Sequence, residues 1–340
     1  MPVTMRDVSA MAGVSVSTVS HVVNNTRAVP DRTRQRVMDA IRSTGFMPNT
    51  IARSLKRAET RTLGLAIGDI SNPYFTEVVH ALEGAAVTAG YTLLLTDIGE
   101  DPDREVAALR ALIGRRVDGL ILSPSAEGGA EVIAHARRNN VPVVQIDRVA
   151  DRDCDFVVAR NSPDMRRLVA HLAALGHRRI GMLTGLPGLS SSKERIAGYC
   201  AGLANAGIEL DPDLMIPAGS AHAPALAATN RLMELRNPPT ALVASNNLMA
   251  LGAMRALKDR GLAVPKDVAL VAFDEFAWAD LFQPRLTTVA QPCRLIGETA
   301  VKLLLDRIAE PDSPPRRIHL ATTIQHRESC GCPPNAPPIA

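Results

Sequence analysis

A short stretch near the N-terminus carries the first side chains whose types and spacing suggest a chemical role. Four polar residues recur there at i, i+3, i+4 and i+7, the spacing of one face of a helix: Ser17, Ser20, His21 and Asn24. This stripe has hydroxyl, imidazole and amide groups but no carboxylate, so it can approach DNA phosphates and major-groove base edges without charge repulsion. The alternative is a structural helix whose polar stripe faces water.

Three predicted helices would position this stripe. They are residues 5–12, a second helix capped by Ser15, and a third that starts at Pro30-Asp31 and ends before Gly45. Thr4 and Asp7 have the spacing of a capping box, and Gly13 ends the first helix. Two short helices joined by a glycine-containing turn, with a third that completes a small core, are typical of a helix-turn-helix. A small three-helix structural module would have the same pattern.

Positive charge favours the first interpretation. The whole chain has a formal charge of +3, yet residues 1–60 hold nine Lys or Arg against four Asp or Glu. An excess confined to one segment of a nearly neutral chain is typical of nucleic-acid binding. Just beyond the three helices, Arg53, Lys56 and Arg57 could neutralise phosphates while Leu55 wedges between base steps in the minor groove.

From about residue 62 onward, apolar runs alternate with helical patterns. The strand-like runs are residues 63–67, 91–96, 119–122, 141–146, 180–183, 241–244 and 268–273. Near-continuous apolar strands that alternate with helices predict parallel sheets covered on both faces, and the length of this region predicts two α/β lobes. Because ligands in such folds bind at the carboxyl ends of strands, the loops after these runs are the candidate site.

Aromatic residues collect in those same loops. Six of the ten aromatic residues lie at two strand ends: Tyr74, Phe75, Phe273, Phe276, Trp278 and Phe282. In a chain with so few aromatic residues, this placement favours a role in lining a site. Core packing is the open alternative for each of them singly.

The sequence lacks the motifs of common catalytic sites. It has no G-x-S-x-G elbow and no G-x-G-x-x-G fingerprint, and residues 185–193 resemble a phosphate loop without the required spacing. We therefore expect that the protein is not an enzyme and binds no cofactor. An enzyme would need a nucleophile with its base or a cofactor loop, and a transport-type binding protein would need an export signal and no DNA-binding head.

Cysteine usage and hydropathy bound the remaining possibilities. Five cysteines, an odd number, predict reduced thiols. The one close pair, Cys330-Gly331-Cys332, has only His326 nearby, which predicts a solvated tail and no metal site. The start of the chain has no signal-peptide pattern, and no segment is apolar enough to cross a bilayer, so we expect a cytoplasmic protein with no membrane partner.

Motifs along nearly the whole chain carry a family resemblance. In the first sixth they are Val3-Thr4-Met5-Arg6-Asp7-Val8, Ala12-Gly13-Val14-Ser15, Thr18-Val19-Ser20-His21-Val22-Val23-Asn24 and Pro48-Asn49-x-x-Ala52-Arg53-x-Leu55. Later ones include Asn72-Pro73-Tyr74-Phe75, Leu175-Gly176-His177-Arg178-Arg179-Ile180, Arg195-x-x-Gly198-Tyr199 and Leu286-Thr287-Thr288-Val289. With these motifs the chain resembles the lactose-repressor (LacI/GalR) family of bacterial transcription regulators.

The resemblance implies an α/β architecture with a DNA-binding head. A three-helix helix-turn-helix domain would occupy residues 1–47, a hinge helix and linker 48–59, and a two-lobed effector and dimerisation domain, similar to periplasmic binding proteins, 60–340. Lobe 1 would comprise about 60–159 with 290–320, and lobe 2 about 160–289 with 321–335. The protein would be a repressor that binds a pseudo-palindromic double-stranded operator as a homodimer, or as a dimer of dimers, and senses a sugar or sugar acid.

The resemblance also implies roles for individual residues. Val16, Ser17 and His21 would read bases. Residues expected at the DNA backbone or in the hinge are Thr4, Ser15, Thr18, Asn24, Arg27, Asn49, Ala52, Leu55 and Lys56. Residues expected at the effector are Tyr74, Phe75, Asp147, Arg160, Ser191, Arg195, Asn246 and Asp274. Arg195 and Asp274 are the expected central pair, a forked donor and a carboxylate acceptor.

Three departures from the family pattern suggest the charge of the ligand. Arg160 stands where the family often has Asp, Asn247 replaces a common Asp, and Ala221 stands near a frequent aromatic position. An additional arginine and one acid fewer would make the cleft less acidic, so an anionic effector such as a sugar acid is one hypothesis. The alternative is that Arg160 pairs with Asp155 or Asp147 and never meets the ligand.

Overall fold

The small N-terminal unit is a three-helix bundle built around local sequence signals. The computed structural model describes residues 3–24, 26–47 and 59–332, and the chain divides into two units, Met1–Thr60 and Arg61–Ala340. Helices α1 (Met5–Ala12), α2 (Val16–Asn24) and α3 (Asp31–Thr44) pack around a core that includes Val8, Val19 and Val37. The predicted helices are confirmed.

Caps and one arginine fix the turn between α1 and α2. The backbone N–H of Thr4 donates to Asp7 Oδ2 at 2.8 Å, which confirms the capping box. Gly13 ends α1 with a φ of +59°, a left-handed conformation that favours glycine. The Arg36 guanidinium, from α3, donates to the carbonyl oxygens of Ala12 and Gly13, so the third helix holds the turn in place.

The larger unit contains two six-stranded sheets. The strands are β1 (Thr62–Ile67), β2 (Thr92–Asp97), β3 (Gly119–Leu122), β4 (Val143–Ile146), β5 (Asp155–Ala159), β6 (Ile180–Thr184), β7 (Met215–Pro217), β8 (Ala241–Ala244), β9 (Ala269–Phe273), β10 (Thr287–Ala290), β11 (Arg317–Leu320) and β12 (Thr323–Gln325). The strand orders are β11-β5-β4-β3-β1-β2 in lobe 1 and β12-β10-β9-β8-β6-β7 in lobe 2. Neighbouring strands run parallel except β10 and β12, which are antiparallel.

Helices cover both faces of these sheets. They are α4 (Pro73–Thr88), α5 (Pro102–Gly114), α6 (Gly129–Arg138), α7 (Asn161–Ala174), α8 (Ser190–Asn205), α9 (His222–Met233), α10 (Asn247–Asp259) and α11 (Cys293–Ala309). Helix α11 follows β10 of lobe 2 but packs on α4 of lobe 1, where Gly297 lies against Ala81. The chain therefore passes between the lobes more than once.

All seven predicted strands are present, with ends shifted by up to two residues. The sequence reasoning missed β5, β7, β10, β11 and β12, which are three to five residues long. Several carry polar residues such as Thr288 and His319, so they lack the continuous apolar run that identified the others. Among the helices described, none is both long and apolar enough to cross a membrane.

Candidate functional site

A cavity of about 280 Å³ lies at the carboxyl ends of the strands in the larger unit. Both lobes contribute to its wall: lobe 1 supplies residues such as Tyr74 and Asp147, and lobe 2 supplies residues such as Arg195 and Asp274. Cavities that bind small molecules measure about 300 to 1,000 Å³. This cavity lies just below that range, so it suits a molecule the size of a monosaccharide.

Most residues predicted at the effector meet at this cavity. Those that line it are Tyr74, Phe75, Asp147, Ser191, Arg195, Asn246 and Asp274. Arg160 does not line it. Arg160 is the N-cap residue of α7, its backbone N–H donates to Leu320 O at 2.9 Å, and its side chain is exposed. Asp155 and Asp147, its suggested partners, pair with other arginines instead.

Two aspartates enter the cavity from unusual backbone conformations. Asp147 follows β4 with a φ of +61°, and Asp274 follows β9 with a φ of +69°. A left-handed conformation at a residue other than glycine costs free energy, and such residues cluster at binding sites. Both carboxylates stand at the end of their strand and face the cleft between the lobes.

Arg195 organises the lobe 2 wall. Its Nε donates to Asn161 Oδ1 at 2.9 Å, Nη1 donates to Ser245 O at 2.5 Å, and Nη2 lies 3.4 Å from Asp274 Oδ1. Its guanidinium stacks 3.9 Å from the centre of the Phe273 ring. Gln291 also donates to Asp274 Oδ1, at 2.6 Å. Burial raises the pKa of Asp274, and the charge of Arg195 opposes that shift.

Arg148 organises the lobe 1 wall, and the sequence reasoning missed it. Its two terminal nitrogens donate to the two oxygens of Glu100, each at 2.6 Å, and its Nε lies 3.0 Å from Asp147 Oδ2. Burial opposes the charge of Arg148, but Asp147 and Glu100 raise the pKa of its guanidinium. Glu100 is 48 residues away in sequence, so only its place after β2 could have suggested this pair.

The cavity keeps a net negative charge despite its two arginines. Its described lining holds the carboxylates of Asp69, Glu100, Asp147 and Asp274 and the guanidinium groups of Arg148 and Arg195. Both guanidinium groups already bind carboxylates of the protein. The expectation of a less acidic cleft is therefore not supported: the arginine that prompted it lies outside, and the arginines inside are neutralised.

Tyr74 presents an unpaired hydroxyl to this cavity. Its side chain is buried, and its phenolic oxygen has no hydrogen-bond partner in the described residues. A buried polar group without a partner costs about 1–3 kcal/mol. Burial, with Asp147 nearby, raises the pKa of Tyr74 well above its ordinary value, so the hydroxyl keeps its proton and can donate it to a ligand.

Direct bonds connect the lobes beside the cavity. Asn247 Nδ2, at the start of α10, donates to Asn72 Oδ1, at the start of α4, over 3.0 Å. The Ser190 hydroxyl accepts from the backbone N–H of Val149 at 2.9 Å. These contacts hold the lobes together around the binding space.

The six aromatic residues of the strand ends divide into two groups. Tyr74 and Phe75 line the cavity, and the Phe273 ring stacks against the Arg195 guanidinium. Phe276 belongs to the lobe 2 core, where Phe282 packs against it and the partly exposed Trp278 contacts its edge. Core packing is thus the role of the second group.

The predicted DNA-reading face of α2 is open to solvent. Val16 and Ser17 are exposed, whereas Val19 on the opposite face is fully buried. His21, which is partly exposed, pairs through Nδ1 with the Thr26 hydroxyl at 2.9 Å. Arg27 is also exposed.

Other predicted DNA-contacting residues have local partners. Ser15 Oγ accepts from Thr18 N at 3.1 Å and so caps α2, Asn24 Nδ2 donates to Ser20 O at 2.9 Å, and Thr4 belongs to the capping box of α1. Four predicted residues, Asn49, Ala52, Leu55 and Lys56, lie outside the described residues. Their roles remain predictions.

Comparisons with known proteins cover both units. Residues 4–49 match the family profile of bacterial regulatory proteins of the lacI family, and residues 169–330 match the periplasmic binding protein-like domain. The chain is 34% identical to the HTH-type transcriptional repressor PurR of Aliivibrio salmonicida over 96% of this chain and 98% of that one.

Two solved structures extend the likeness. One is the lac repressor dimer bound to operator and the anti-inducer ONPF, with a TM-score of 0.86 and 29% identity, over 97% of this chain and 99% of that chain. The other is the complex of the transcriptional regulator CelR with cellobiose, with a TM-score of 0.73 and 29% identity, over 96% of this chain and 99% of that chain.

Proposed function

This chain belongs to the LacI family of bacterial regulatory proteins, and on that basis we propose that a small, uncharged, polyhydroxylated molecule controls its binding to DNA. The protein is a sequence-specific DNA-binding transcriptional repressor regulated by a small molecule. It acts as a homodimer on an operator. Under this proposal the effector is a neutral carbohydrate of about monosaccharide size, held between the lobes.

The state of the two arginines carries the choice of a neutral ligand. A free guanidinium would attract a carboxylate or phosphate, but Arg148 and Arg195 already bind Glu100, Asp147 and Asp274. An anion that entered would add charge to a cavity that is already net negative. Sugar hydroxyls can instead donate to these carboxylates and accept from Tyr74. Cellobiose, the ligand of the similar CelR structure, is itself a neutral sugar.

We place DNA recognition on the exposed face of α2. Val16, Ser17 and His21 would contact base edges, while Arg27 would bind phosphate. The protein would work by binding alone, without catalysis, in the cytoplasm where its operator lies. The hinge prediction for Leu55 belongs to the same proposal.

Selection from a random duplex library tests the DNA-binding part. Full-length protein should enrich a pseudo-palindromic sequence, and its affinity should fall steeply as salt concentration rises. His21→Ala should weaken binding to that operator by about 1–3 kcal/mol. It should also reduce the preference for one base at one position of each half-site. His80→Ala, which removes an exposed histidine from α4, is the matched control and should leave binding unchanged.

Two results would overturn this assignment. One is an enriched sequence without two-fold symmetry, because a homodimer presents the same surface twice. The other is an equal loss of affinity in the His21 and His80 variants, because then α2 would not be the reading surface.

A further inference from the structure

Two histidines and two cysteines converge at the C-terminal end of lobe 2. They are His171, His326, Cys330 and Cys332, and one ligand atom of each lies within 4.8 Å of the corresponding atoms of the others. Cys332 Sγ is 2.9 Å from His171 Nε2, 3.0 Å from His326 Nε2 and 3.1 Å from Cys330 Sγ. Cys330 Sγ is 3.4 Å from His326 Nε2. We call these four residues the Cys2His2 cluster.

Separate elements bring the cluster together. His171 lies in the last turn of α7, whereas the other three follow β12 in the C-terminal tail. The Ser329 hydroxyl donates to Leu270 O at 2.6 Å and accepts from Thr287 N at 2.8 Å, which fixes the tail under β9 and β10. Gly331 has a φ of +86°, so the chain turns sharply between the two cysteines and both sulfurs reach one point.

Hydrogen bonds alone do not account for this arrangement. A thiol has one weak donor hydrogen, yet Cys332 Sγ has three polar atoms at close range. The sulfur–sulfur distance of 3.1 Å is far longer than the roughly 2.05 Å of a disulfide, and both thiols are free. Both histidines present the same nitrogen, Nε2, toward the sulfurs. A cation at the centre would satisfy all four groups at once.

We propose that the Cys2His2 cluster binds one zinc ion. Two thiolates and two imidazoles form a common donor set of structural zinc sites, with Zn–S near 2.3 Å and Zn–N about 2.0–2.1 Å. A tetrahedron of those dimensions separates its ligand atoms by roughly 3.3–3.8 Å. Cys330 Sγ and His326 Nε2 lie 3.4 Å apart, and the contacts of Cys332 Sγ, at 2.9–3.1 Å, are shorter, so metal binding would spread the ligands slightly. Binding releases the protons of both thiols.

Four protein ligands give this site a structural role. They complete the tetrahedral shell and leave no open position for water or substrate, in contrast to catalytic zinc sites. The ion would tie the end of α7 to the C-terminal tail, two segments that are 155 residues apart between His171 and His326. Residue spacing did not indicate a metal site, because only the three ligands of the tail are close together in sequence.

The direct test measures metal binding by the full-length protein. Protein purified under reducing conditions should contain about one zinc per chain by elemental analysis. After a chelator removes the zinc, added Co²⁺ should give the visible bands of tetrahedral cobalt and the near-ultraviolet absorption of a cobalt–thiolate bond. Zn²⁺ should then displace the cobalt and abolish both signals.

Variants separate the site from adventitious metal. Cys332→Ser should lower zinc affinity by more than about a hundredfold, since it removes a ligand and not merely an outer-shell partner. Cys200→Ser, which removes a half-buried thiol of α8 outside the cluster, should keep full zinc content. The proposal is overturned if wild-type protein holds no zinc and its cobalt spectrum lacks the thiolate band. It is also overturned if Cys330 and Cys332 are recovered as a disulfide whose reduction restores no metal binding.

Discussion

The two lobes have the same sheet design but stabilise their walls of the cleft differently. In lobe 1, Arg148 binds two carboxylates, Glu100 and Asp147. In lobe 2, Arg195 pairs with one carboxylate of the described residues, that of Asp274, and donates its other hydrogen bonds to the neutral oxygens of Asn161 and Ser245. One fold thus supports a charge cluster on one side and, on the other, a network that joins three separate elements.

The last strand of each sheet shows a second contrast. In lobe 1 the carboxylate of Asp155, fully buried, accepts from Arg307 Nε at 2.9 Å and from the backbone N–H of Arg316 at 2.6 Å, beside β11. In lobe 2, three of the four residues of the Cys2His2 cluster lie in the segment that follows β12. The sheet therefore determines where a site can form, while the side chains at its edges determine what the site binds.

The largest expected effect is the loss of Arg195. Arg195→Ala leaves Asp274 buried without its cation and removes the bonds to Asn161 and Ser245. We expect the free energy of unfolding to fall by about 3–5 kcal/mol and effector binding to be lost. Arg148→Ala, the matched change in lobe 1, should cost less: it also leaves the buried Asp147 without its cation, but Glu100 is one-fifth exposed and can turn to water, and no neutral oxygen loses its donor. Urea unfolding measures both.

Equal losses in the two arginine variants would contradict this contrast between the lobes. A larger loss for Arg148→Ala would reverse it. In the second case the lobe 1 cluster would be the main structural link at the cleft.

Removal of zinc should have the next largest effect, and it should be local. With free zinc about a thousandfold above its dissociation constant, the bound ion stabilises the folded state by about 4 kcal/mol. A chelator should therefore raise hydrogen exchange in residues 323–332 and leave β11, which Asp155 supports, unchanged. An equal rise in hydrogen exchange in β11 and in residues 323–332 would show that zinc does not stabilise the second segment alone.

A smaller effect should separate binding from stability at Tyr74. Tyr74→Phe removes a hydroxyl that has no hydrogen-bond partner among the described residues, so stability should stay the same or rise slightly. Loss of one hydrogen bond to the effector costs about 0.5–1.5 kcal/mol, or roughly a two- to tenfold weaker affinity. Calorimetry with the effector and thermal unfolding without it measure the two quantities. A marked loss of stability would mean that the hydroxyl already has a structural partner.

The smallest effect is expected at the contact between the lobes. Asn247→Ala removes the bond to Asn72 and should cost about 0.5–1.5 kcal/mol, which shifts the balance between closed and open lobes. Small-angle scattering of the ligand-free protein should show a slightly larger radius of gyration. An unchanged radius, with unchanged effector affinity, would show that this bond does not hold the lobes closed.

Local signals made much of this structure predictable. The Thr4 and Asp7 capping box and Gly13 gave the bounds of α1, and apolar runs gave seven of the strands. Tyr74 and Asp274 were predictable as site residues because their loops follow strands, whereas Asp147 was predicted from the family resemblance. Each of these features depends on residues that are close to one another in the sequence.

Distant partners explain the failures. Arg148 becomes a site residue only through Glu100, and the metal cluster becomes visible only when α7 brings His171 to the tail. Arg160 differs from these two: its position in the family pattern suggested the cleft, but the residue lies at the N-cap of α7, outside the lining of the cavity, and is exposed. Pairings of this kind depend on tertiary structure, which periodicity and spacing do not encode.

Calorimetric titration with a neutral sugar and the matching sugar acid tests the central claim most directly. A panel of such pairs, galactose with galacturonate for example, keeps size and shape nearly constant while it changes charge. The net negative cavity with neutralised arginines predicts that, in the pair that binds best, the neutral sugar binds at least about tenfold more tightly. Tighter binding of the acid would contradict the account, since it would require Arg148 or Arg195 to release a carboxylate of the protein.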